Sequence, residues 1–194
     1  LDLMPTPEQR LQMWKQSWKL VREKSIFLAD FWNHGTVVDG CLSAGGHGNG
    51  GYMYIDWNGN VSPCVFVPYS PVNIKDVYAK GGNLTDIFNE PFFADLRKWQ
   101  ADIKIQTNGK NLLNPCPIRD HNADLRQLIR KHEVEPLDLN AAEALQDANY
   151  AKGMDVYDEK YQKIVDTVWE KVYVQNSPLE AEDTEKLTEL FAEK

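Results

Sequence analysis

The run Tyr52-Met53-Tyr54-Ile55-Asp56-Trp57, then Asn58-Gly59, then Asn60-Val61-Ser62-Pro63-Cys64-Val65-Phe66, leaves the chain few options over this stretch. Asn-Gly between two strand-like runs is the strongest short-range hairpin signal, because a two-residue primed turn needs positive φ at both central positions. The spacing therefore predicts a hairpin with Asn58 and Gly59 both at positive φ. Pro63 has no backbone N–H to donate to a ladder, so Cys64 is expected at an edge or a bulge. The preceding stretch, residues 43–51, reads Ser-Ala-Gly-Gly-His-Gly-Asn-Gly-Gly and has little intrinsic order.

Around this hairpin the pattern is mostly helical. Thr6-Pro7-Glu8-Gln9 is a helix start, with Thr6 as cap, Pro7 at the first helical position and Gln9 reaching back. Leu11, Trp14, Trp18 and Val21 follow at helical spacing, and the helix ends near Lys24. Ile26-Phe27-Leu28-Ala29 is a short apolar run that reads as a buried strand. Beyond the prolines Pro68 and Pro71, Phe92, Phe93, Leu96 and Trp99 mark one amphipathic helix. Leu125, Leu128 and Ile129 mark another, with Asp120 as its expected cap. Asn140 is expected to cap a third, through Ala141 and Leu145. Tyr157, Tyr161, Ile164, Val165, Val168 and Val172 form a long stripe, and Thr184 is expected to cap an acidic final helix. The expected class is α+β: a helix–strand entry, a small β-hairpin region and a mostly helical C-terminal half.

The chain has 194 residues and a net charge of −8, from 29 acidic and 21 basic side chains. An acidic balance argues against a general nucleic-acid binder and against adhesion to an anionic membrane surface. No stretch reaches the ~18 apolar residues that span a bilayer, and residues 1–10 lack a secretory signal pattern. The expected compartment is the cytoplasm. There is no G-x-S-x-G or H-E-x-x-H motif, so hydrolase chemistry is not indicated.

The three cysteines, Cys41, Cys64 and Cys116, are odd in number and widely spaced, unlike a secreted disulfide framework. They sit in similar company: Gly40-Cys41 before the glycine-rich loop, Ser62-Pro63-Cys64, and Pro115-Cys116-Pro117. Buried free thiols are common in cores, but these three lie at loops and strand ends. A thiolate metal site needs backbone that bends tightly around sulfur and leaves amide N–H groups free to point at it. Glycine and proline supply both.

Cys41, the hairpin, Gly59-Asn60-Val61-Ser62-Pro63-Cys64 and the later Cys116 resemble the SPASM/twitch region of radical SAM proteins. There a cysteine precedes a hairpin, a glycine of the turn is followed by four residues and a second cysteine, and more cysteines come after a helical stretch. The resemblance covers roughly residues 35–135. It implies one auxiliary [4Fe–4S] cluster with Cys41, Cys64 and Cys116 as cofactor and metal ligands. It implies residues 1–34 as the end of the radical SAM barrel and 136–194 as a helical tail. The partners implied are the rest of that barrel and a peptide or protein substrate, with no nucleic acid and no membrane. There is no C-x-x-x-C-x-x-C, so SAM and its own cluster would belong to a part not present here. The further cysteines of a full SPASM domain are also absent. A fourth ligand has to come from Asp120, His121 or His47, from elsewhere, or not at all. Arg119 is a candidate screen for the anionic cluster. A zinc-stabilised Cys₃His interaction module, or a metal-free binding domain, is the alternative.

Overall fold

A computed structural model of the chain describes residues 3–30, 40–46, 51–106 and 111–180. The expected roles of His47 and of Thr184 fall outside them. The class is α+β, with helices around two small antiparallel sheets.

Helix α1 (Pro7–Lys24) begins as its sequence dictates, with a complete Thr6/Gln9 capping box and proline in its first turn. Ser25 ends it in the left-handed region at φ 51. The run Ile26–Ala29 does not form the expected buried strand. Ile26, Phe27 and Leu28 are 47%, 83% and 37% exposed, and no described strand pairs with them. Apolarity favours burial, but a strand also needs a neighbour for its N–H and C=O groups.

The hairpin forms from β1 (Tyr54–Ile55) and β2 (Asn60–Ser62), with Tyr54 opposite Ser62 and Ile55 opposite Val61. Its turn differs from the two-residue expectation. Among the hairpin residues only Gly59 has positive φ, at 90°, and Asn58 does not. The Asp56 N–H donates to the Asn60 carbonyl at 3.0 Å, leaving a three-residue loop that closes through a left-handed glycine. The cause is Asp56: its Oδ1 accepts the N–H groups of Asn58 at 2.8 Å and Asn60 at 2.9 Å, an Asx arrangement that favours this turn. A Cβ on Gly59 would also come within 2.9 Å of Asn73 Oδ1.

Strand β2 also pairs with β4 (Val72–Asn73), and β3 (Tyr69–Ser70) pairs with β5 (Glu135–Pro136). Two short helices follow, α2 (Ile74–Ala79) and α3 (Leu84–Phe88), each capped by an asparagine. Then come α4 (Pro91–Gln106) and α5 (Asn122–Lys131). Helix α6 (Leu139–Gln146) is capped by Asp138, whose carboxylate accepts the Ala141 N–H at 2.8 Å. The expected cap, Asn140, lies inside the helix instead, because Asp138 is the carboxylate placed to reach a first-turn amide. Helix α7 (Ala148–Val168) carries the long stripe and continues into a π-helical turn, Trp169–Val174.

Two apolar cores result. One joins the sheets to α4 and α5 through Val61, Val67, Tyr69, Ile87, Phe92, Phe93, Leu125 and Ile129. The other lies between α1 and α7, through Leu11, Trp14, Tyr161, Ile164, Val165 and Val168, with Leu113 from the segment before Cys116. That segment runs from one core to the other. No helix among the described residues is long and apolar enough to cross a membrane.

Candidate metal centre

Cys41 lies on the 3₁₀ turn Gly40–Ser43. Gln100, buried on α4, donates from Nε2 to the carbonyls of Cys41 at 3.3 Å and Ala44 at 2.9 Å, which seats this turn on the helix. Gly45 follows at φ 84, where a Cβ would press on Leu96 Cδ2 at 2.9 Å. Its N–H donates to the carbonyls of Tyr52 at 3.0 Å and Pro63 at 3.1 Å. The second bond ties the Cys41 turn to the residue before Cys64.

Cys64 sits just past the end of β2. Its carbonyl accepts the Val67 N–H and the Ser62 hydroxyl, both at 3.1 Å, and the amides of Phe66 and Val67 point at its sulfur. Cys116 opens a tight turn in which the Asp120 N–H donates to the Cys116 carbonyl at 2.7 Å and the Arg119 amide points at the sulfur. Amides aimed at sulfur are what a thiolate site requires. They come from Phe66, Val67 and Arg119.

The three cysteines converge. All are buried and free, and all line one cavity of about 730 Å³. Met13, Ser17 and Leu20 of α1 close one side, Leu28 and Ala29 another, with Tyr52, Phe66 and Pro117 completing a mostly apolar wall. The run that failed to form a strand is thus part of this wall. The Cys41 and Cys116 thiols share a hydrogen bond. Cys41 donates to Cys116, so that bond, and after it burial, raises the Cys41 thiol, while the same bond holds Cys116 low against the effect of its burial. Burial raises Cys64.

Asp120, expected as a ligand or a helix cap, is neither placed at the cavity nor bound to the α5 N-terminus. Its carboxylate takes Arg10 Nη1 at 2.5 Å and Nη2 at 3.3 Å, Arg119 Nε at 3.3 Å and the Cys116 N–H at 3.3 Å. His121, the residue before α5, makes no side-chain cap bond. Its Nε2 lies 2.8 Å from the Asn114 carbonyl and its ring packs edge-on against Trp99, away from the cavity wall. The carboxylate of Asp158, on α7, accepts the first amide of α5, that of Asn122, at 3.0 Å.

Among the described residues, no three or more His, Cys, Asp or Glu side chains are gathered closely enough to hold a single metal ion. A closed zinc site needs such a shell. A cluster puts its thiolates on different irons and does not. Three thiols on one mostly apolar cavity, with amides directed at the sulfurs of Cys64 and Cys116, fit an iron–sulfur cluster. Sequence reasoning missed Arg10, Gln100 and the part played by α1. The available signal was Arg10, Trp14 and Ser17 at helical spacing, which puts a cation on the face that Trp14 buries.

Residues 47–123 match the family model of SPASM, an iron–sulfur cluster-binding domain. The match includes the hairpin, Cys64 and Cys116, and begins after Cys41. The match agrees, over the segment it covers, with the resemblance read from the residues. Comparison with curated proteins and with solved structures finds no match.

Proposed function

We propose that Cys41, Cys64 and Cys116 hold one auxiliary [4Fe–4S] cluster in a radical SAM enzyme, and that residues 35–135 are its auxiliary domain. The observation that carries this reading is the convergence of three thiols from three distant segments on one apolar cavity. When bound, the cluster supplies one-electron transfer or an iron for substrate to meet. The chain's own residues do the rest. The amides of Phe66, Val67 and Arg119 stabilise charge on two of the sulfurs. Met13, Leu20, Leu28 and Phe66 line the apolar wall beside them. Gln100 and Gly45 hold the Cys41 turn against the Cys64 turn. The fourth position is filled from outside the three cysteines or left to substrate. The substrate class we favour, on the resemblance alone, is a peptide or protein.

SAM binding and cleavage are assigned to a barrel beyond this chain, which would orient SAM and shield a radical from water. The chain alone is expected to form no 5′-deoxyadenosine from SAM under reducing conditions. An enzyme that includes it should keep SAM cleavage, yet lose product formation, when Cys64 is replaced by alanine. The first test is anaerobic reconstitution with iron and sulfide, then metal analysis. The reading expects a brown protein with about four irons and as many sulfides per chain. A colourless protein that takes up one zinc and no sulfide supports the zinc-stabilised module instead.

A further inference from the structure

Two guanidinium groups share one carboxylate beside the cysteine cavity. Arg10 and Asp120 have side chains 0% and 1% exposed, and Arg119, at 13%, bonds the same Asp120 oxygen as Arg10 Nη1. The guanidinium carbon of Arg10 also lies 3.2 Å from the centroid of the Tyr161 ring, which covers one face of the cation. Asp120 reaches the site through the Cys116 N–H at 3.3 Å, and its charge acts on both Cys41 and Cys116. Two cations and one anion are thus gathered next to a site whose thiolates are negative. Charges so little screened by water act strongly over short distances.

We infer that Arg10, Asp120 and Arg119 form a charge-setting unit in which Asp120 is a positioning residue that fixes the reduction potential of the cluster without ligating it. This rests on the proposed cluster. It goes further by assigning a task to α1, which delivers Arg10 across 110 positions of chain. Reduction adds negative charge to the cluster, so net positive charge nearby raises its potential and net negative charge lowers it.

The test is redox titration of the reconstituted full chain, followed by the spin-resonance signal of the reduced cluster. Asp120→Asn keeps an acceptor for the Cys116 N–H but removes the anion, and the midpoint potential should rise. Arg119→Gln removes a cation, and the potential should fall. The double variant Arg10→Gln/Asp120→Asn removes one charge of each sign and should return close to wild type. That ordering is not expected of a carboxylate that only braces the turn. If Asp120→Asn fails to fold or load, Arg119→Gln still decides, since an unmoved potential there overturns the inference. Loaded variants whose potentials all coincide with wild type overturn it too, while leaving the cluster assignment intact. A wild-type chain that takes up no iron overturns the cluster reading itself, and this inference with it.

Discussion

Arg10 in α1 donates to both carboxylate oxygens of Asp120, at 2.5 Å and 3.3 Å, and so fastens the first helix to the turn that carries Cys116. Neither side chain has water to fall back on. Arg10→Ala should therefore cost about 3 kcal/mol, because it leaves a buried carboxylate with only Arg119 and the Cys116 N–H as partners. Arg10→Lys should recover only part of this, since an ammonium lacks the planar fork and the stacking surface. Urea denaturation of the metal-free chain measures both. Near-wild-type stability in Arg10→Ala would contradict the structural role given to the pair.

Gly59 closes the hairpin that places Cys64. Gly59→Val forces a branched side chain to positive φ and against Asn73, and should cost about 1–3 kcal/mol from backbone strain alone. Iron uptake should fall together with the thermal midpoint. Unchanged values of both would mean that the turn does not position Cys64.

The hairpin itself was legible in the sequence, and its turn was not. Asn-Gly announced a reversal, but Asp56 decided its type by accepting two backbone amides, and a dipeptide rule does not weigh a carboxylate two residues upstream. Helices with long stripes, such as α1 and α7, were legible because one face of each is buried. Ile26–Ala29 was misread because short apolar runs do not reveal whether a pairing partner exists. The three cysteines stood out by their Gly and Pro neighbours. Arg10 and Gln100 did not, because what they do depends on helices docking against distant turns, which no local pattern encodes.

Asp158 is held by burial at about 7, and only the Asn122 N–H and the Arg126 charge pull it the other way. One of its oxygens is buried with no hydrogen-bond partner among the described residues. Its folded pKa lies above the ordinary carboxylate value of about 3.9. Between those two values the folded state binds more protons than the unfolded state, so this group makes stability fall as pH rises. Asp158→Asn should be more stable than wild type at about pH 8, by on the order of 1 kcal/mol given its partial exposure, with the gain vanishing toward about pH 4. Thermal unfolding across that range checks the sign. A gain that grows toward acid would contradict it.

Gln100 is the link between α4 and the Cys41 turn. Gln100→Leu removes two donated hydrogen bonds and leaves two buried carbonyls short of a partner, at about 1–3 kcal/mol. The alkylation rate of Cys41 in the metal-free chain should rise as its turn loosens, while that of Cys64 changes little. Equal changes at both cysteines would point to general loosening instead.

The central claim is that three cysteines, and not His121 or Asp120, hold one cluster. Iron and sulfide content after identical anaerobic reconstitution of Cys41→Ala, Cys64→Ala, Cys116→Ala and His121→Ala tests it most directly. Each cysteine variant is predicted to lose most of the iron, of the sulfide and of the visible absorption together, while His121→Ala retains all three. A cysteine variant that folds and keeps the wild-type cluster content would contradict the shared site.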